Sequence, residues 1–297
     1  MNTDESNRPV SLASIRLLLK QIVRSWLDDY VLSMGAALAY YTLFSLAPLL
    51  LIVIAVAGLV FGEDAARGEI QAQLRTLMGD RGAIAVQDLL TSVHKPAEGV
   101  AATLLGVLLL LVGATSVFGE LQDAMDRIWR VPARQLTSGW LTLLRARLLS
   151  FGMILAIGFL LMVSLVISAA LAVTGRLLEP IFGGWYIVAS AASALGGLVM
   201  VAVMFALIYK VMPRAQVQWK DVWIGAVVTA TLFTLGKLLI GLYVGSSGVV
   251  SGFGAAGSLV VILLWVYYSA QIFLIGAEFT WVYANMFGSR SHPAHQV

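Results

Sequence analysis

Two ionisable side chains stand inside otherwise apolar stretches of this sequence, Lys237 and Glu278, and they offer the most obvious chemistry. A charge carried into a bilayer costs about 2.5–3.5 kcal/mol on insertion scales, so such a residue usually faces a bundle interior or a watery cavity. At about 100° per residue, Tyr267, Gln271 and Glu278 fall within roughly 40° of one another and form one polar stripe on a helix. Lys237 lies about 22 Å from the start of its apolar stretch and Glu278 about 8 Å from the end of the next one, too far apart in depth for a direct ion pair. Lys237 is therefore expected to hydrogen-bond Tyr267 and Gln271, and Glu278 to meet a basic residue near the membrane boundary, such as Lys210. Two placements stay open for Lys237: turned into the bundle, or snorkelling along its stem to the headgroups. For Glu278 the alternatives are a proton relay and an interfacial ion pair. Earlier in the chain Ala37, Tyr41, Ser45 and Pro48 share a face, and Pro48 deprives the Phe44 carbonyl of its helical donor. A kink there would open a polar pocket, although prolines also kink membrane helices without function.

Other suggestive patterns lose force in context. Glu120, Asp123 and Asp126 recur every three residues, as carboxylates holding a divalent metal can, but Asp123 with Arg127 and Asp126 with Arg130 have the spacing of ordinary helix ion pairs. No metal site is expected. Gly252, Gly254 and Gly257 match a dinucleotide fingerprint, yet they lie in a Gly/Ser-rich hairpin, Gly245 to Ser258, with no preceding strand. His94, His292 and His295 are isolated or in a short polar tail, and no nucleophile, base and orienting residue come together. The chain is expected to be no enzyme and to need no cofactor.

The elements that position these residues follow from composition. Of 297 residues 60% are hydrophobic and only 12% charged, which excludes an ordinary soluble domain. A formal charge of +3 is too small for a nucleic-acid binder, and the absence of cysteine removes disulfides and thiolate chemistry. About 20 apolar residues cross a bilayer, and six stretches qualify: approximately 36–61, 100–118, 150–173, 185–211, 222–244 and 258–283. The fold expected is all-α and polytopic, with residues 31–285 forming a membrane domain of six transmembrane helices and 286–297 a tail. Residues 1–30 lack a signal-peptide pattern and instead mix Arg16, Lys20 and Arg24 with Leu18, Leu19, Ile22 and Trp26, as an amphipathic helix on a membrane surface does. Basic residues concentrate before span one, after spans two and four, and at Arg290, which places both termini in the cytoplasm. The outer loop 62–99 is expected to hold two short helices separated by a Gly79 to Gly82 turn. Small residues mark packing faces: Ala226, Ala230 and Gly241 beside Lys237, Gly225, Thr229 and Gly236 on another face, and Ala189, Ser193 and Gly197 on span four.

Four stretches are specific enough to resemble a known family. They are GAALAYYTLFSLAPLL from Gly35, ELQDAMDRIWRV from Glu120, YKVMPRAQVQWKDVWIGAVVTATLFTLGKLLIGLYV from Tyr209, and FGAAGSLVVILLWVYYSAQIFLIGAEFTWVYA from Phe253. Together they resemble the YihY/BrkB family of bacterial inner-membrane proteins, for which an older label was ribonuclease BN. The resemblance implies a six-helix inner-membrane protein with cytoplasmic termini and a periplasmic helical loop; it implies little chemistry, because envelope integrity, serum resistance and transport have all been suggested for members. The matching positions include Tyr40, Tyr41, Pro48, Asp126, Arg127, Trp129, Pro213, Trp219, Asp221, Gly236, Lys237, Tyr267, Gln271, Gly276 and Glu278, with Asp126 standing where the family pattern more often has Asn. The nuclease label finds no support in these residues.

Two functions fit this reading. One is a transporter or flippase-like protein for an amphipathic or anionic envelope compound, with Lys237, Tyr267, Gln271 and Glu278 along its path and Tyr41, Ser45 and Pro48 as a gate. The other is a structural or partner-binding envelope protein that docks through its outer loop. Membrane lipids are the expected surroundings, and the small-residue stripes can pack within one chain or between copies.

Overall fold

The computed structural model describes residues 12–93, 116–132, 152, 159, 185–246, 253 and 256–291. Every regular element among them is helical: α1 (Leu12–Asp28), α2 (Val31–Phe61), α3 (Glu63–Val93), α4 (116–128), α5 (Trp185–Val211), α6 (Trp219–Ser246) and α7 (Gly257–Met286). Four of these, α2, α5, α6 and α7, are long and apolar enough to cross a membrane. Expected spans two and three lie almost entirely outside the described residues, as do the Gly/Ser-rich hairpin for the most part and all three histidines.

Helix α7 is the hub. It packs against α6, α2, α3 and α1, while α5 packs on α6 and reaches α7 through Phe205 and Tyr209. The α6–α7 seam is built on small residues. A Cβ on Gly225 would come within 1.8 Å of Thr280 Oγ1, one on Gly276 within 2.0 Å of Thr229 Oγ1, and one on Gly236 within 2.4 Å of Ile272 Cδ1. In lipid no hydrophobic force draws apolar helices together, so close backbone approach and the dispersion contacts it permits must do so. Of the two expected small-residue faces on α6, the one with Gly225, Thr229 and Gly236 makes the tight seam. Ala226 and Ala230 are also buried, but Gly241 meets only open space among the described residues, as does Gly197 on α5. Where α5, α6 and α7 converge, the Tyr209 hydroxyl donates to the Phe273 carbonyl at 2.8 Å and lies 3.0 Å from Thr229 Oγ1, while Thr229 donates to the Gly225 carbonyl at 2.7 Å. These bonds satisfy the polar atoms of a wholly buried tyrosine.

At one end of the bundle α3 covers α2 and α7 through Ala85, Val86 and Ile262, with Met78 against Ile240 and Val261. It is two helical segments joined at Gly79, whose φ of 74° and ψ of 174° only glycine adopts without strain. Helix α2 runs from Val31 to Phe61 through position 48 as a single element. The opposite end gathers the start of α2, the ends of α4, α5 and α7 and the start of α6, and with them Arg130, Lys210, Arg214, Lys220 and Arg290. It is the basic end. Helix α1 packs along α7 there, burying Ile22, Ser25 and the adjoining Asp29, while Leu17, Leu19, Val23 and Leu27 stay exposed.

The seam makes a measurable demand. Gly276→Ala forces a methyl into Thr229 and Tyr209 and is expected to lower stability by about 1–3 kcal/mol, whereas Gly241→Ala, with nothing within 4 Å, should leave it unchanged or slightly higher. Thermal unfolding of the two purified variants in the same detergent checks this.

Candidate functional site

Glu278 is fully enclosed, at 0% exposure, and neither carboxylate oxygen has a hydrogen-bond partner among the described residues. The polar groups acting on it are the Asp29 carboxyl and, after it, the Arg130 guanidinium. Asp29 sits in the two-residue turn between α1 and α2 and is itself buried; its Oδ1 accepts from Arg130 Nη1, and its Oδ2 has no hydrogen-bond donor among the described residues. Backbone geometry explains how these residues meet. Tyr30 closes the turn with φ of 57°, and Arg130, just past the end of α4, has φ of 54°. Both are left-handed positions that direct the chain sharply away from the preceding helix. Arg130 also lies 5.2 Å over the Trp281 ring, one turn beyond Glu278, and Arg290 lies 4.9 Å over Trp129. The guanidinium thus spans α1, α4 and α7.

The expected partner of Glu278 is therefore corrected. Lys210 donates to the Val217 carbonyl at 2.5 Å and stacks 5.6 Å over Trp219, so it is engaged at the α5–α6 link, and the basic group that approaches Glu278 is Arg130. The expected bond from Lys237 to Tyr267 and Gln271 is corrected as well. Gln271 turns its amide toward the Val31 and Leu32 carbonyls of α2, at the long distances of 3.4 and 3.5 Å. It can do so because position 35 is glycine: a Cβ there would lie 2.1 Å from Gln271 Nε2 and 3.6 Å from the Tyr267 ring. The reason is angular. Tyr267, Gln271 and Glu278 do share one stripe, but on α7 the residues that touch α6 are Tyr268, Ile272, Gly276 and Thr280, which start about 100° further round the helix. The stripe faces α2 and the α1–α2 turn, while Lys237 stands on α6. Lys237 is half-buried, with no hydrogen bond or ion pair among the described residues.

On α2, Tyr41 is exposed, whereas Ser45 is enclosed with its Oγ unpartnered among the described residues. Nothing is described of the Pro48 side chain, and its helix continues without interruption. On α4 the i,i+4 pairing of Asp126 with Arg130 is replaced by longer-range contacts, because the left-handed Arg130 has left the helical face above Asp126. Asp126 accepts from the Arg214 backbone N–H at 2.7 Å and pairs with its guanidinium at 3.3 Å; Gln122 donates to the Met212 carbonyl at 3.1 Å. Asp221 does the same for the end of α7, accepting from Ser289 Oγ at 2.5 Å. Burial pushes the Asp126 carboxyl above its ordinary range, although the Arg214 N–H and guanidinium pull the other way. Burial, then the neighbouring Asp123, pushes Glu120 up too.

Reading the sequence did not single out Asp29, which lay in a segment assigned to the membrane surface, or Gly35 as the glycine that admits Gln271. Arg130 was counted only as a loop charge and a local partner. A left-handed residue after α4 has no signal in residue type, since arginine rarely adopts that conformation.

The helices and their enclosed charges define a polytopic α-helical membrane protein. The chain belongs to the family described as virulence factor BrkB, which it matches over residues 22–297. It is 30% identical over 260 residues to a UPF0761 membrane protein of Pseudomonas aeruginosa, covering 86% of this chain and 60% of that relative. It is 28% identical over 259 residues to a UPF0761 membrane protein of Stenotrophomonas maltophilia, covering 85% of this chain and 57% of the relative. Against a UPF0761 membrane protein of Tolumonas auensis the identity is 27% over 259 residues, with 86% of this chain and 82% of the relative covered. The chain thus spans about 60% of the length of the Pseudomonas relative. No solved structure matches.

Asp126 yields a test with a definite sign. A carboxyl whose folded pKa is raised binds its proton more tightly in the folded chain, so its contribution to stability falls as pH rises from its ordinary value near 3.8 through the folded value. Asp126→Asn, which keeps an acceptor for the Arg214 N–H, is expected to be at least as stable as the native protein at neutral pH and to lose that pH dependence. Asp126→Ala leaves the N–H unpaired and should cost about 1–3 kcal/mol. Unfolding curves across mildly acidic to neutral pH separate the three chains.

Proposed function

We propose that this protein moves an amphipathic, anionic compound of the bacterial envelope across the inner membrane, with both termini in the cytoplasm and the basic end facing inward. The observation that carries the reading is Lys237. Its ammonium is borne on an apolar span, half-buried and without a protein partner among the described residues. Its neighbours Gly236 and Ile240 pack inward, while Leu235, Leu238, Leu239 and Leu242 are exposed. A cation on the boundary between bundle and lipid attracts an anionic headgroup, and compensating it there relieves the cost of carrying a charge into the bilayer. The exposed leucines beside it offer acyl chains an apolar track, and lipid is the natural partner of such a face. Helix α1, with basic Arg16, Lys20 and Arg24 and exposed leucines, suits a segment resting on an anionic inner leaflet. Conversion of a substrate is not part of this proposal.

The second reading, a scaffold that binds a partner in the periplasm, is favoured by α3, which covers one end of the bundle and exposes Glu63, Asp64, Asp80 and Asp88. The two differ in what they lose. In liposomes holding the purified full chain, a fluorescent short-chain phosphatidylglycerol should cross between leaflets, and Lys237→Met should slow it at least tenfold while the variant remains folded and inserted. Equal rates for wild type and variant contradict the transport reading. Loss of the cellular phenotype on deleting residues 65–93, with Lys237→Met fully active in cells, supports the scaffold instead.

A further inference from the structure

We propose that Asp29 and Glu278 share one exchangeable proton, so that the turn between α1 and α2 forms, with α7, a proton-binding site at the basic end of the membrane domain. The site is not a mere accumulation of acidic residues. Glu278 is fully enclosed with both oxygens unpartnered among the described residues, and Asp29, 3% exposed, keeps one oxygen likewise unpartnered beside it while the other is held by Arg130. Three enclosed carboxylate oxygens without a donor among the described residues are an unusual expense for a fold, because a buried acceptor forfeits its hydration without return.

Charge counting identifies what is missing. Two carboxylates and one guanidinium sum to a single negative charge, and one added proton makes the cluster neutral. The proton also converts a repulsion between facing carboxylates into an O–H···O bond, one of the stronger hydrogen bonds available to a protein. A metal cation would supply the same charge, but hard cations take six or more oxygen ligands, against three free here, and would sit beside the positive Arg130.

Among the described residues no other charged group performs this task. On α1, Arg24 and Asp28 pair with each other at the surface, 3.6 Å apart. Helix α2 carries no charged residue, and the charges of α3 lie at the opposite end of the bundle. Lys210 of α5 is spent on the Val217 carbonyl, Asp221 of α6 on Ser289, and Lys237 stands on the α6 side, away from the stripe that bears Glu278. From α4, Arg130 is the cation that approaches. Losing the proton restores the repulsion between the α1–α2 turn and α7.

The site does not rest on the transport reading, and its test needs no substrate. Infrared difference spectra of the full chain in lipid nanodiscs, titrated from acid to alkaline pH, should show at neutral pH the carbonyl band of a buried carboxylic acid, shifting in heavy water and vanishing at alkaline pH. Glu278→Gln should abolish the band while preserving the fold, since a carboxamide imitates the protonated group in shape. Asp29→Asn should shift the band and make it vanish at a lower pH than in the wild type, because the facing carboxyl that shares the proton is gone while the enclosure of Glu278 remains. Absence of the band in the wild type overturns the proposal. So does a band whose position and titration are unchanged in Asp29→Asn, which would assign the proton to Glu278 alone, or its appearance only when sodium is withdrawn, which would mean that the pair holds a metal ion. Loss of lipid movement in liposomes leaves these spectra unaffected, so the two ideas fail separately.

Discussion

A carboxyl group placed on an apolar helix and closed off from water constrains everything around it. Glu278 sits on α7, the helix that touches most of the others, and two further groups must come to it: the Asp29 turn and the Arg130 guanidinium. Each arrives from a different part of the chain, and each depends on a left-handed residue, Tyr30 or Arg130 itself, to turn out of its helix. The basic end of the bundle is organised by this requirement. Asp126 with Arg214, Asp221 with Ser289, and Arg290 with the Gln216 carbonyl then fasten the surrounding links.

The rest of the bundle is held by different physics. Among the described residues the α6–α7 seam holds no charge; glycines facing threonines and Ile272 let the backbones close, with the Tyr209 hydroxyl bonding across the point where α5 joins them. One face of α7 is thus a dry, tight seam, and another a polar stripe that must find its own partners. A helix with two such faces cannot rotate without losing both. That fixes the side from which α1 and α2 approach, and it leaves Lys237 on the α6 side, without a partner among the described residues and next to exposed leucines.

How far the sequence disclosed this follows from what periodicity contains. Hydrophobic run length is enough to recognise α2, α5, α6 and α7, because a bilayer leaves few alternatives to a helix of about 20 apolar residues. Angular spacing is enough to group Tyr267, Gln271 and Glu278. Neither says which neighbour a stripe faces. That choice rests on glycine positions in two other helices, Gly35 admitting Gln271 and Gly236 admitting Ile272, and glycine is common throughout this chain. Asp29 was hidden for a related reason: its helix exposes Leu17, Leu19, Val23 and Leu27 and so reads as a surface segment, although its other face packs on α7. Arg130 looked like half of a local pair with Asp126, and only the backbone reversal beyond α4 sends the two to different partners.

The orientation of the α7 stripe is the claim on which the account turns, and a chain with no cysteine of its own permits a direct reading of it. Paired cysteines introduced into the full-length protein and oxidised in native membranes report which helix faces which. Gly35→Cys with Gln271→Cys should form an intramolecular disulfide rapidly, and Lys237→Cys with Gln271→Cys should not. Efficient bridging of the second pair and none of the first would place the stripe against α6, contradicting the enclosure of Glu278 by the α1–α2 turn.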